Sequence, residues 1–172
     1  MRLRSGLLAS RSLPLPLLVA CLTGCLYGFA GGGLPPSIKT VALLPFDNQT
    51  AEPTLTQEVG NSVREALERR LGLRQASETQ ADALVRGTIV RYEPDLPVQY
   101  QGGDGRQVNV TRRLVQITVS VEIMDQKQGK PIWQRSGLVL EGDYDTGQER
   151  QGRDKALEKL VTNIVEGAQS QW

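Results

Sequence analysis

Histidine is absent from the chain, and only two cysteines occur, Cys21 and Cys25. The commonest general base and metal ligand is therefore missing, and a cysteine nucleophile has almost nowhere to reside. Nor is there a basic excess: 20 Lys and Arg face 19 Asp and Glu, which argues against nucleic acid as a partner. Internal repeats are not evident. The apolar run near the N-terminus, Leu13 to Leu22, falls short of the ~20 residues that span a bilayer, and Pro14 and Pro16 weaken it as a helix.

That run has a different meaning. Arg2, Arg4 and Arg11 precede it and Leu22-Thr23-Gly24-Cys25 follows it, the layout of a secretory signal. The tetrapeptide resembles the lipobox of bacterial lipoproteins, which implies cleavage after residue 24 and acylation of the Cys25 thiol. Leu26, at the position after the cysteine, implies sorting to the outer membrane. Two or three acyl chains, at about 0.8 kcal/mol per buried CH₂, would make such an anchor stable. Removal of residues 1–24 takes Lys and Arg from 20 to 17 against the same 19 acids. It also removes Cys21, so no disulfide is available to the mature chain.

Three segments are expected: a signal peptide at 1–24, a lipidated flexible tether at 25–37, and a single domain at 38–172. The glycine run at 31–33 precedes Pro35-Pro36 instead of a helix, so it suits a tether and not a phosphate loop. Tyr27 and Phe29 are candidates for the membrane interface or a partner.

Within the domain, Ile38 to Phe46 reads as a strand apolar on both faces. Thr54 to Leu71 carries Leu55, Val59, Val63, Ala66, Leu67 and Leu71 at helical spacing. Thr54-Leu55-Thr56-Gln57 matches a capping box, and Gly72 a C-terminal stop. Gly60 is expected to mark a close approach of this helix to the sheet. Ala83 to Tyr92 reads as a second strand, with a loop from Glu93 through Gly105. Val115, Ile117, Val119, Val121 and Ile123 alternate with Gln116, Thr118, Ser120 and Glu122, the pattern of a strand with one buried and one polar face. A turn at Asp125–Lys130 leads to a fourth strand, Ile132 to Leu140. Asp145 or Thr146 would cap a last helix with a stripe of Leu157, Val161, Ile164, Val165 and Ala168, and Leu160 beside it. The expected fold is α+β: two helices on one face of a four-stranded mixed sheet, in the order β-α-β-β-β-α.

Chemistry of a catalytic or metal-binding kind finds little support. Asp143-Tyr144-Asp145 and Asp104 offer carboxylates, but neither segment has the 6–8 oxygen ligands calcium takes. No cofactor, no metal and no enzymatic activity are expected. Cations remain as binding candidates: Arg112 and Arg113 at the start of the third strand, Lys127 and Lys130 around its closing turn, with Arg86 and Arg91 on the second. Charge-assisted hydrogen bonds from the first four to the phosphates of an acidic lipid are the sharpest expectation. Trp133 and Trp172 read as packing residues.

Several segments together resemble the LPS-assembly lipoprotein family (LptE-like). They are Cys25-Leu26-Tyr27-Gly28-Phe29, Leu34-Pro35-Pro36-Ser37-Ile38-Lys39-Thr40-Val41, the helix from Pro53, Leu84-Val85-Arg86-Gly87-Thr88-Ile89, and the strand Arg113 to Met124. The resemblance implies a non-enzymatic lipoprotein anchored in the outer membrane, with its domain facing the periplasm or a barrel lumen. There it would plug the LptD β-barrel and contact lipopolysaccharide on its way outward. Val41-Ala42-Leu43-Leu44-Pro45-Phe46-Asp47-Asn48 also resembles the opening strand of two other kinds of outer-membrane lipoprotein, the curli-secretion pore and activators of peptidoglycan synthases. An envelope adaptor of one of those kinds is the alternative.

Overall fold

The computed structural model describes residues 34–103 and 107–170. The signal peptide, Cys25, Tyr27, Phe29, Asp104 and Trp172 lie outside the described residues. The elements run β1 (Thr40–Leu43), β2 (Asp47–Asn48), α1 (Thr54–Glu65), β3 (Arg74–Gln75), β4 (Ala83–Gly103), β5 (Gln107–Asp125), β6 (Lys130–Asp145) and α2 (Glu149–Gln169). The fold is α+β with a mixed sheet, as expected, but the sheet has six strands and not four. Its order is β3-β1-β4-β5-β6, with β2 also beside β4.

The extra strands have local causes. Pro45 has no N–H to give to a ladder, and the expected first strand splits around it. Val41 to Leu43 pair in parallel with Ala83 to Val85, and Asp47 and Asn48 resume the pairing at Thr88 and Ile89. Between them Phe46 turns inward and is buried. Its ring occupies the space a side chain at Gly87 would need, since a Cβ there would lie 2.3 Å from Phe46 Cε1. Arg74 and Gln75, after α1, add a two-residue edge parallel to β1.

The strand expected to stop at Tyr92 runs on to Gly103, so residues 93–103 form a strand and not a loop. Pro94 and Pro97 survive in it because the β4–β5 register shifts beside both, between Glu93 and Leu96 and between Pro97 and Gln99. Prolines tolerated in a sheet sit at such irregularities.

Helix α1 begins without the capping box. Pro53 occupies the N-cap position and no side chain caps it there. Instead the Glu52 carboxylate accepts from the Thr54 amide at 3.3 Å and the Thr54 hydroxyl at 2.6 Å. Those bonds lower the Glu52 pKa. The helix then widens into a π turn, Ala66–Arg70, where the Leu71 amide reaches the Ala66 carbonyl. Gly72 ends it with φ at +68°, the left-handed conformation expected of a C-terminal stop.

One continuous core joins both helices to the inner face of the sheet. It contains Leu55, Val59, Val63 and Leu67 from α1, Val115, Ile117, Val119, Val121 and Ile123 from β5, and Leu160 and Ile164 from α2. Two small residues set the approach of α2. A Cβ on Gly142 of β6 would lie 1.8 Å from the Gly152 carbonyl oxygen, and one on Gly167 would strike the Trp133 indole. Trp133 is the packing residue expected of it, 3% exposed. Gly60 corrects an expectation: a Cβ there would meet nothing within 4 Å, so it marks no close approach.

Candidate functional site

The four cations singled out from the sequence do not converge. Arg112 and Arg113 pair with Asp145 and Tyr144 near one end of the β5–β6 hairpin, and Asp125 pairs with Lys130 at the other. At ~3.3 Å per strand residue the two ends are roughly 40 Å apart. Each end has its own wiring.

At the turn, the buried Asp125 carboxylate accepts from the Lys127 amide at 2.8 Å and the Gln128 amide at 2.9 Å. The Lys127 ammonium crosses to Asp82 Oδ1 at 2.6 Å. Asp82 Oδ2 accepts from the Thr40 hydroxyl at 2.9 Å and from the Lys39 and Thr40 amides at 3.1 Å. The Asp82 amide returns a bond to Thr40 Oγ1 at 2.9 Å. The Lys127 hydrogen bond and then the Lys39 amide hold the Asp82 carboxyl far below the usual carboxylate range, and Asp82 raises Lys127 in turn. Lys127 is therefore a staple between the hairpin turn and the start of β1. Lys130 is exposed and makes no ion pair among the described residues.

At the opposite end Arg112 pairs with Asp143, and Lys155 of α2 joins the same carboxylate at 3.3 Å and its carbonyl at 2.7 Å. Arg113 pairs with Asp95, which raises its pKa. The Tyr144 hydroxyl donates to the Pro94 carbonyl at 2.6 Å. Nearby, the Tyr92 hydroxyl donates to Glu149 at 2.5 Å, and Arg153 meets Glu149 at 3.2 Å and Glu58 of α1 at 3.4 Å. Burial and then Glu149 push the Tyr92 phenol well above its ordinary value. This network ties β4, α1 and α2 together, and a cavity of about 330 Å³ opens beside Asp95, Arg113 and Tyr144.

Sequence reasoning missed the acids that hold these cations: Asp82, Asp95 and Asp143. Their partners lie 18 to 45 positions away along the chain, so the register of β4 on β5 and β6 had to be known first. Arg86 on β4 and Glu122 on β5 are direct register partners, bonded at 2.6 Å on the outer sheet face. Among the described residues no group of three or more His, Cys, Asp or Glu converges as a metal site. No described helix is long and apolar enough to cross a membrane.

With this geometry in place, the comparisons decide the family. A family model described as "LptE: Lipopolysaccharide-assembly" matches residues 38–167. The chain belongs to the LptE family. A search of curated proteins finds no match. Among solved structures, a Xanthomonas campestris protein of family model DUF330 is similar in fold, with a TM-score of 0.56 at 13% identity, covering 81% of this chain and 90% of that one. The PelC dodecamer from Paraburkholderia phytofirmans gives a TM-score of 0.52 at 16% identity, covering 81% of this chain and 95% of that one. At such identities these two likenesses show a shared fold and nothing finer.

Proposed function

We propose that this chain is a lipoprotein of the outer membrane, anchored through Cys25, that plugs the LptD β-barrel and assists lipopolysaccharide assembly by binding and not by catalysis. The match to the LptE family over residues 38–167 carries the reading. The fold is consistent with it. Its outer sheet face is polar, with Gln116 bonded to Glu141 at 2.9 Å and Arg86 to Glu122, a surface suited to a water-lined barrel lumen.

The structure sharpens the expected lipid contacts. Arg112, Arg113 and Lys127 each already hold a carboxylate of the same chain, so a lipid phosphate must compete with that acid. Lys130 has no such competitor, and it is the best of the four for a phosphate. Lys127→Glu would break the Asp82 staple as well as alter charge, so Lys130→Glu is the cleaner variant.

Depletion of the chain in its own bacterium tests the function. Lipopolysaccharide should fail to reach the cell surface, and wild type should restore it while Cys25→Ser restores it poorly. Normal surface lipopolysaccharide after depletion would contradict the reading.

A further inference from the structure

We propose that the break in the sheet between β1 and β2, at Leu43–Pro45, is a docking surface for an extended, acidic segment of a protein partner. Strand β1 stops at Leu43, the Leu44 amide still bonds the Val85 carbonyl at 2.9 Å, and the exposed Pro45 interrupts the ladder before β2 resumes it. These residues form an apolar ridge with a notch on either side. One notch, about 180 Å³, lies toward α1 beside Gly60 and Arg64. The other, about 380 Å³, lies on the outer sheet face beside Arg86, Arg135 and Ser136. Leu44 and Pro45 line both.

Gly60 is the first argument. An interior glycine weakens a helix relative to alanine, and such a residue usually has a packing reason. Here a Cβ would touch nothing within 4 Å. What the missing side chain does is leave the α1 notch open.

Charge is the second. Arg64 donates to the Asn61 side-chain oxygen at 3.0 Å and to no carboxylate, and Arg135 makes no ion pair among the described residues. Arg86 is shared with Glu122, and Asp47 on the rim accepts from Gln49 at 3.2 Å. Arg64 and Arg135, neither of them in an ion pair among the described residues, thus stand on either side of an apolar ridge, with Arg86, Glu122 and Asp47 also lining the larger notch. A guanidinium matches a carboxylate in a planar, two-bond fork. In an extended chain, residues two positions apart share a face, so one segment can place an apolar residue on the ridge and acidic residues two positions to either side, toward the two arginines. A lipid headgroup would meet one arginine and leave the ridge bare. This inference reaches beyond the family reading, because it names a surface and a chemistry whichever protein supplies the segment.

The test uses the full-length chain in its native membrane, with a photo-reactive benzophenone side chain placed at the exposed Gln57 on the rim of the α1 notch or, separately, at Ser136. The cross-linked residue is then mapped by mass spectrometry. Both positions should capture the same segment, one in which carboxylates lie two positions from an apolar residue. Arg64→Glu combined with Arg135→Glu should cut that capture about tenfold or more, as truncation of charge pairs does at other interfaces. Gly60→Leu, which sends a side chain into the notch from a position whose Cβ meets nothing within 4 Å, should cut it while leaving the melting temperature no lower. Adducts to lipid alone, no adducts, or a segment without carboxylates would overturn the proposal. If the barrel still co-purifies in that event, the docking surface falls and the barrel partnership stands.

Discussion

The two faces of β5 share a backbone and differ in almost everything else. Val115, Ile117, Val119 and Ile123 are fully buried, whereas Gln116, Thr118, Ser120 and Glu122 are half-buried and polar. The inner face meets both helices and fixes the fold. The outer face makes hydrogen bonds across strands and leaves the fold almost indifferent to its identity. A strand with one face in the core and the other at the surface lets the two vary separately.

The largest test of that contrast is volume on the inner side. Ile117→Ala should cost about 2–5 kcal/mol, read as a lowered denaturation midpoint, while Thr118→Ala on the outer face should stay within about 0.5 kcal/mol. Equal effects would dissolve the distinction. Next comes the helix contact. Gly142→Ala places a methyl against the Gly152 carbonyl and should cost about 1–3 kcal/mol or more, whereas Gly60→Ala, with open space around it, should stabilise by up to about 1 kcal/mol. Opposite signs for two glycine-to-alanine changes would confirm that one glycine is there for packing and the other is not.

A smaller effect distinguishes the two ends of the hairpin. The folded Asp82 carboxyl ionises at lower pH than in the unfolded chain, where it would titrate near ~3.9. Its contribution is therefore complete above about pH 5 and fades as pH falls through 4 and below. Lys127→Met should lose part of that acid-side dependence, the Lys39 and Thr40 hydrogen bonds keeping the rest, at little cost to the remainder of the pH profile. Unfolding curves collected from pH 7 to pH 2 for both proteins would show it, and an unchanged acid limb would remove the Lys127–Asp82 staple from the account.

What could be read from the sequence follows the same division. The inner face of β5 was legible because a period of two is unmistakable when every second residue is Val or Ile. Helix α2 was legible in part. Leu157, Leu160, Ile164, Val165 and Ala168 are buried as expected, Val161 is only half-buried, and Gly152 and Ala156 join the buried stripe. Small residues carry no hydrophobic signal, although here they set the distance between helix and sheet. The extension of β4 past Pro94 and Pro97 was illegible, because a proline ends most strands and only a register shift in the partner excuses it. The candidate site suffered most. Cations are visible in a sequence, but the acids that neutralise them come from strands whose register is not. Arg112, Arg113 and Lys127 are held in this way, and Lys130 is not.

The proposed function stands or falls on partnership with a barrel. The most direct measurement is recovery of the tagged, full-length chain from outer membranes in mild detergent, with the partners identified and quantified by mass spectrometry. The account predicts one large β-barrel at near-equal stoichiometry. A periplasmic synthase or a homo-oligomer recovered without the barrel would contradict it.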